Sequence, residues 1–600
     1  MTPTLTENKA LKGGEFLLAT PAPATTFTPE DFNEEQVMVR QMVQDFIQQE
    51  IFPNLDKIEK QEDVIAAKLL EKMADLGLLG SHMPEEYGGM AMDTNTNTLI
   101  CDVMGGSSGS FTVSFAAHTG IGMLPILYYG SEEQKAEWLP RLISGELKAA
   151  YCLTEPGSGS DATGAKTTAM RDGDEWVLNG QKMWISNAGF ADVFIVFAQA
   201  DGDKFTGFIV PQGLEGLTLG AEEDKLGIKG SSTRQVFFEN VRIPASNFLG
   251  EIGKGHLIAF NVLNVGRFKL HALSVGGAKR ALSIGIQYAN DRVQFKQPIA
   301  NFGAIKFKIA EAATRIFASE SALYRVSQMI QDMNKELMAD GKSFAEAKRL
   351  SAEEYAIECA LLKFLGSEML DYTVDEVLQI HGGMGYSEET LAPRMYRDSR
   401  INRIYEGTNE INRLLSVDTL MRRAMKGSID LVGPAWNVQK ELAQPADTTP
   451  VTGVYGAEEK AISDFKKAIL MVVGAAAKAQ MDGKINLKTE QEIIMNVSDM
   501  LAELLQAEST LLRLQKLRDN GKGKIDQEVY DAILKVFVHD ANARIAKNGL
   551  DAVASFTEGD LLDTFVAGLR RFTQYPPQNV KALRREVADL CIGANEYALS

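Results

Sequence analysis

A block of short β-branched and aromatic runs, residues 151–250, separates two long stretches of helical patterning. It holds Glu175-Trp176-Val177-Leu178, Val193–Ala198, Phe205–Val210 and Gln235–Phe238, with Asn-Gly, Asp-Gly and other Gly-bearing turns between them. Short runs bounded by such turns predict a β domain. No helical segments alternate with these strands, which disfavours a parallel dinucleotide-binding sheet. The predicted fold is mainly α with a central β-barrel or sandwich. At about 150 residues per domain, 600 residues suit four domains.

Residues 1–27, rich in Thr, Pro and Ala, read as a flexible arm. Thr28-Pro29-Glu30-Asp31 reads as a helix start, with a capping hydroxyl, a proline at the first helical position and two acids. Residues 28–150 then form an N-terminal helical domain and 251–430 a second one. Pro434, Pro445 and Pro450 mark a linker over 431–455. Residues 456–600 read as a further helical domain, with Ala461, Phe465, Ala468, Ile469 and Val472 at helical spacing. Phe565, Val566 and Leu569 make another apolar stripe, expected to pack on the protein or its dimer mate rather than on a membrane.

The net charge of -18 argues against a nucleic-acid binder, which would carry a basic stripe. That charge lies almost wholly on the first 455 residues, because 456–600 carry 19 basic and 21 acidic residues. Cys101, Cys152, Cys359 and Cys591 share no paired spacing, so neither a disulfide scaffold nor a structural zinc site is expected. The start carries Lys9 and Lys12 against Glu7 and Glu15, with no Arg, unlike a transit peptide. No wholly apolar run reaches the ~18 residues of a membrane span. A cytoplasmic location is the expectation.

Two glycine-rich turns, Tyr151–Asp161 and Gln379–Tyr386, could hold a phosphate or a cofactor edge on backbone N–H groups. Each alone reads first as a tight turn. Trp184 and Ser186 close a strand, where an indole can stack on a planar ring and a hydroxyl can donate to it. Glu406 precedes Gly407 and Thr408 at the start of a helix carrying Ile411, Leu414 and Leu415. Gly407 lets the chain pass close to a ligand, Thr408 suits an N-cap, and Glu406 at the joint could act as a base.

Taken in order, PEEYGG (84–89), GSEEQKAEWLP (130–140), YCLTEPGSGSDA (151–162), GQKMWISN (180–187), LGIKGSST (226–233), QIHGG (379–383) and YEGT (405–408) form a series. That series resembles the acyl-CoA dehydrogenase family over about Thr28 to Gly427. The added C-terminal region resembles the very-long-chain branch, as does Leu263–Phe268. The resemblance implies FAD, held between the β domain and the second helical domain across a dimer contact. It implies Leu153, Thr154 and Ser160 along the flavin and its phosphates, with Ser160 also touching substrate. Trp184 and Ser186 would lie at the flavin ring. Arg292 and Phe295, then Gln379, Gly382 and Gly383, would reach the neighbouring subunit's FAD. Thr408 and Glu410 would lie near the adenosine half. Lys296 replaces a usual Gly and Gly303 a frequent Gln.

Glu406 matches the family's base, which takes the α-proton of an acyl-CoA while the β-hydride goes to flavin N5. Some relatives carry the base at the position of Gly266 instead. Arg267 and Gly407 would touch substrate or tune the base. Ala116, Ala117, Gly120 and Gly122 would open the acyl pocket to long chains. The reading is thus a long-chain acyl-CoA dehydrogenase of fatty acid β-oxidation, a homodimer passing electrons to an electron-transferring flavoprotein. An acyl-CoA oxidase and a non-catalytic binding protein on the same scaffold are the alternatives. A bound metal is not expected.

Overall fold

The computed structural model describes residues 11–445 and 450–600. Residues 446–449, inside the predicted linker, and the first ten residues of the predicted arm lie outside them. The order is helices, sheet, helices, then five more helices.

The sheet has eight strands: β1 (Ala149–Cys152), β2 (Thr168–Asp172), β3 (Glu175–Ser186), β4 (Val193–Ala200), β5 (Lys204–Pro211), β6 (Leu217–Leu219), β7 (Thr233–Pro244) and β8 (Phe248–Leu249). They run in the order β6-β7-β3-β2-β4-β5-β8, with β1 beside β4. Hairpins dominate, but β4 pairs in parallel with both β1 and β2, so the sheet is mixed. Seven of the eight side chains of β4 are buried, which explains why Val193–Ala200 reads as a continuous apolar run.

The second helical domain is built on three long helices, Gly255–Asp291, Gly303–Ala339 and Ala356–His381. Gly276 and Gly105 let the first of them cross helix Thr94–Gly105 at backbone contact: a Cβ on Gly276 would sit 1.6 Å from the Asp102 carbonyl oxygen. Gly109–Tyr129 is long and apolar enough to span a membrane, yet 83% of its apolar window is buried in the protein. It serves as a core element behind the sheet.

From Leu11 onward the predicted arm is docked, not free. Gly13 and Gly14 donate their backbone N–H groups to Glu354 and Glu358 at 2.9 and 2.7 Å, and Phe16 and Leu17 are fully buried. The helix start also moves. Thr28–Asp31 forms a capping box on one short 3-10 turn, and the long helix begins at Glu34 behind Asn33, whose side chain accepts from Gln36 N–H. Part of the predicted linker is helical, over Val432–Leu442.

The added helices share one hydrophobic core with the second helical domain. Phe565 and Leu569 are buried in it, so their stripe packs inward. Buried ion pairs cross the junction: Arg513 meets Glu30 at 2.5 Å and Glu320 at 2.8 Å, and Arg325 meets Glu508 at 2.8 Å.

Candidate active site

A cavity of about 170 Å³ lies between helix Gly255–Asp291, the helical segment from Gly109 to Gly122 and the loop before helix Asn409–Met425. Glu406, Tyr405, Ser186, Ala117, Gly120 and Leu270 are among its walls.

Glu406 is at φ 58, in the left-handed region that disfavours side chains, and Gly407 follows at φ 80. Such a loop persists only if its surroundings hold it. Thr408 caps the helix by accepting from Ile411 N–H, and Asn412 donates its amide to the Gly407 and Thr408 carbonyls at 2.8 and 3.0 Å. Arg267 donates to the Glu406 carbonyl at 3.2 Å and to Asn264 at 2.8 Å. The carboxylate itself faces the cavity, and its buried Oε2 meets no donor. Desolvation raises its pKa to about 7 against the pull of Arg267 and Lys363. Lys363, donating to Asn409 at 2.7 Å, is itself lowered to about 7, chiefly by burial.

A carboxylate titrating near neutrality over an apolar cavity is suited to taking a proton from a weak carbon acid. Gly266 makes room for it: a Cβ there would sit 2.7 Å from Glu406 Oε2.

A register shift in the β3–β7 ladder between Lys182 and Ile185 turns Trp184 outward. Trp184 is at φ 60 and 53% exposed, while Ser186 reaches the cavity wall. Beside them the 153–161 turn is pinned by Glu155, which accepts from Lys182 at 2.6 Å and from the N–H groups of Lys166 and Thr167. Leu153 is buried, Thr154 half-buried and Ser160 exposed, and a Cβ on Gly157 or Gly159 would meet nothing within 4 Å. An open turn beside a bare indole and a cavity-facing hydroxyl fits a large planar cofactor with a phosphate tail.

Arg292, Phe295, Gln379, Gly382 and Gly383 are all exposed and do not line this cavity. Tyr288 stacks on His381 at 4.1 Å and so brings the two segments together. Phe295 and Lys296 form a two-residue hairpin turn at φ 50 and 67, which places Lys296 where glycine is favoured. Gly303 faces Arg585 of the added domain, 3.2 Å from an added Cβ. Glu410 is exposed on the first turn after Thr408.

Three expected placements differ. Arg267 is buried behind the base, not on the cavity wall, and Gly407 supports the loop without lining it. Gly122 also faces away, packed against Ala149 of β1, whereas Ala116, Ala117 and Gly120 do line the cavity. Sequence reasoning missed Lys363, Asn412 and the Glu155–Lys182 pair. The Asn at 409 and 412 after Glu406 was the readable signal.

A helix–sheet–helix shell around a near-neutral carboxylate that meets no donor and an open cofactor turn defines a class of proton-abstracting redox enzymes. Residues 33–146, 150–241 and 253–421 match the N-terminal, middle and C-terminal domains of acyl-CoA dehydrogenases, and 464–571 match a further acyl-CoA dehydrogenase C-terminal domain. A probable acyl-CoA dehydrogenase of Bacillus subtilis is 44% identical over 98% of both chains. The human mitochondrial short-chain specific enzyme is 37% identical over 66% of this chain and 93% of its own. The crystal structure of a Bacillus anthracis acyl-CoA dehydrogenase complexed with FAD superposes with a TM-score of 0.94, at 44% identity over 98% of this chain and all of that one. The chain belongs to the acyl-CoA dehydrogenase family and is an FAD-dependent oxidoreductase.

Proposed function

We propose that the protein oxidises long-chain acyl-CoA thioesters at their α,β bond in fatty acid β-oxidation, with Glu406 as the base. The raised, donor-free carboxylate facing an apolar cavity carries this reading. Glu406 takes the α-proton. Gly407 and Asn412 fix the loop that aims it, and Arg267 and Lys363 keep a fraction of it ionised at neutral pH. Bound FAD supplies the acceptor for the β-hydride. Trp184 and Ser186 would hold the ring, and Leu153, Thr154 and Ser160 the chain leading to its phosphates.

The absence of large side chains at Ala116, Ala117 and Gly120 supports long chains, because the cavity continues along the helix past Leu273 to Gly277. A second copy of the chain, offering Arg292, Phe295, Gln379, Gly382 and Gly383 to the FAD, completes the site in a homodimer. An electron-transferring flavoprotein is the proposed acceptor, in the cytoplasm. Anaerobic titration of flavin absorbance with C4 to C20 acyl-CoAs tests the reading. Bleaching that is strongest for long chains supports it. Strongest bleaching at C4 refutes the chain length, and turnover that releases hydrogen peroxide in air points to an oxidase.

A further inference from the structure

Beside the acyl cavity lies a second one of about 80 Å³. Its walls include His82, Cys101, Tyr128, Lys269 and Lys348. Lys269 lines both cavities and so stands in the wall between them. An added Cβ on Gly120, in the floor of the first cavity, would lie 3.9 Å from both Lys269 Cδ and Nζ. The space opened by the small residue thus gives onto an ammonium group.

Several buried cations elsewhere in this chain sit on carboxylates. Lys182 pairs with Glu155 at 2.6 Å, Arg325 with Glu508 at 2.8 Å, Lys466 with Glu508 at 2.6 Å, and Arg513 with Glu30 and Glu320. Lys363, the cation behind the base, faces Glu406. Lys269 and Lys348 make no ion pair among the described residues. Lys269 donates only to the Thr119 carbonyl and Lys348 only to Thr94 Oγ1, both at 3.4 Å. Asp93, whose charge acts on Lys348, is engaged in accepting from Thr96 N–H at 2.7 Å as a helix cap. His82 adds a buried Nε2 with no partner. Two ammonium groups and an imidazole lining one small cavity, with no counter-charge paired to them among the described residues, are costly unless something anionic enters.

We propose that Lys269, Lys348 and His82 form an anion subsite opening off the acyl cavity, which takes the carboxylate at the far end of a dicarboxylic acyl thioester. The inference rests on the acyl-CoA reading above and adds a substrate class to it. Burial holds Lys348 down to about 8 and lowers Lys269, and a carboxylate between them favours the charged form of both. Lys269 lies three residues beyond Gly266 on one helix, about 4.5 Å along its axis, so the subsite suits chains that need not reach the far end of the cavity. Monocarboxylic chains pass Lys269 and follow the helix toward Gly277.

The test uses the FAD-loaded enzyme and matched pairs of monocarboxylic and ω-carboxylic acyl-CoAs from C6 to C12, read as anaerobic flavin bleaching. The ω-carboxylic member of at least one pair is expected to half-saturate at a tenfold lower concentration. Lys348→Met is expected to erase that ratio and Lys348→Arg to keep it. Equal half-saturation in every pair for the wild type overturns the subsite, as does a preference that survives Lys348→Met. Bleaching by neither member overturns the dehydrogenase reading and the subsite with it. Free suberate supplies the other arm: thermal stabilisation of the wild type that is lost in Lys348→Met, together with equal half-saturation in every acyl-CoA pair, assigns the site to a free anion and overturns the substrate assignment.

Discussion

Gly266 and Glu406 are locked together by space: a single Cβ on the glycine would meet the base's Oε2 at 2.7 Å. The base keeps its position because its neighbour has no side chain. Gly266→Ala is therefore expected to leave the fold intact, since a flexible carboxylate can swing aside. Displacement of that size costs on the order of 10²-fold in rate. Paired measurements of kcat and Tm check this, and an alanine variant with wild-type kcat contradicts it.

The raised pKa of Glu406 sets a pH dependence. The base must be ionised, so kcat/KM for acyl-CoA should rise with pH through a midpoint of about 7. Lys363 helps hold that value down, so Lys363→Met should move the midpoint upward. A profile of kcat/KM against pH decides it. An unmoved midpoint removes Lys363 from the account.

The same shift has a cost in stability. A carboxyl whose folded pKa is raised favours the folded state below its unfolded value of 4.5, and this is lost as pH climbs through about 7. Glu406→Gln should therefore gain about 3 kcal/mol of stability over the wild type at pH 8 and nothing at pH 4. Denaturant unfolding of the FAD-free proteins at both pH values is the check.

Arg513 joins three parts of the chain through Glu30 and Glu320. Arg513→Met leaves Glu30 buried without its partner, while Glu320 keeps Lys279, and loss of one partner from such a set costs about 3–5 kcal/mol. Lower thermal stability together with faster proteolysis near residue 445 is the expected outcome.

Phe295 is 89% exposed on a strained hairpin turn. In the proposed homodimer, Phe295→Asp should preserve the fold but lower both dimer mass and FAD content. Light scattering and the flavin-to-protein absorbance ratio report the two. A dimer fully loaded with FAD removes Phe295 from the contact.

The order of helices and sheet was readable because side-chain period changes from about four to two at residue 151 and back after 250. The docking of residues 11–27 was not. Gly13 and Gly14 bond to Glu354 and Glu358, more than 340 residues away, and composition carries no trace of that. Asn33 was legible in principle, since Asn33 and Gln36 spell a capping box, but Thr28-Pro29 offered a similar signal five residues earlier. Glu406 was legible through Gly407 and Thr408. The bulge that splits Trp184 from Ser186 depends on the partner strand, and the unpaired state of Lys269 depends on what is missing around it. Neither kind of fact is written in local sequence.

The most direct test of the account is anaerobic reduction of the FAD-loaded Glu406→Gln variant by a saturating acyl-CoA. The amide keeps the shape of the side chain and cannot take the α-proton. The account predicts a yellow, folded protein with FAD content equal to the wild type and at least a thousandfold slower bleaching, on the order of a lost general base. Bleaching at the wild-type rate would show that another group removes the proton and would contradict the central claim.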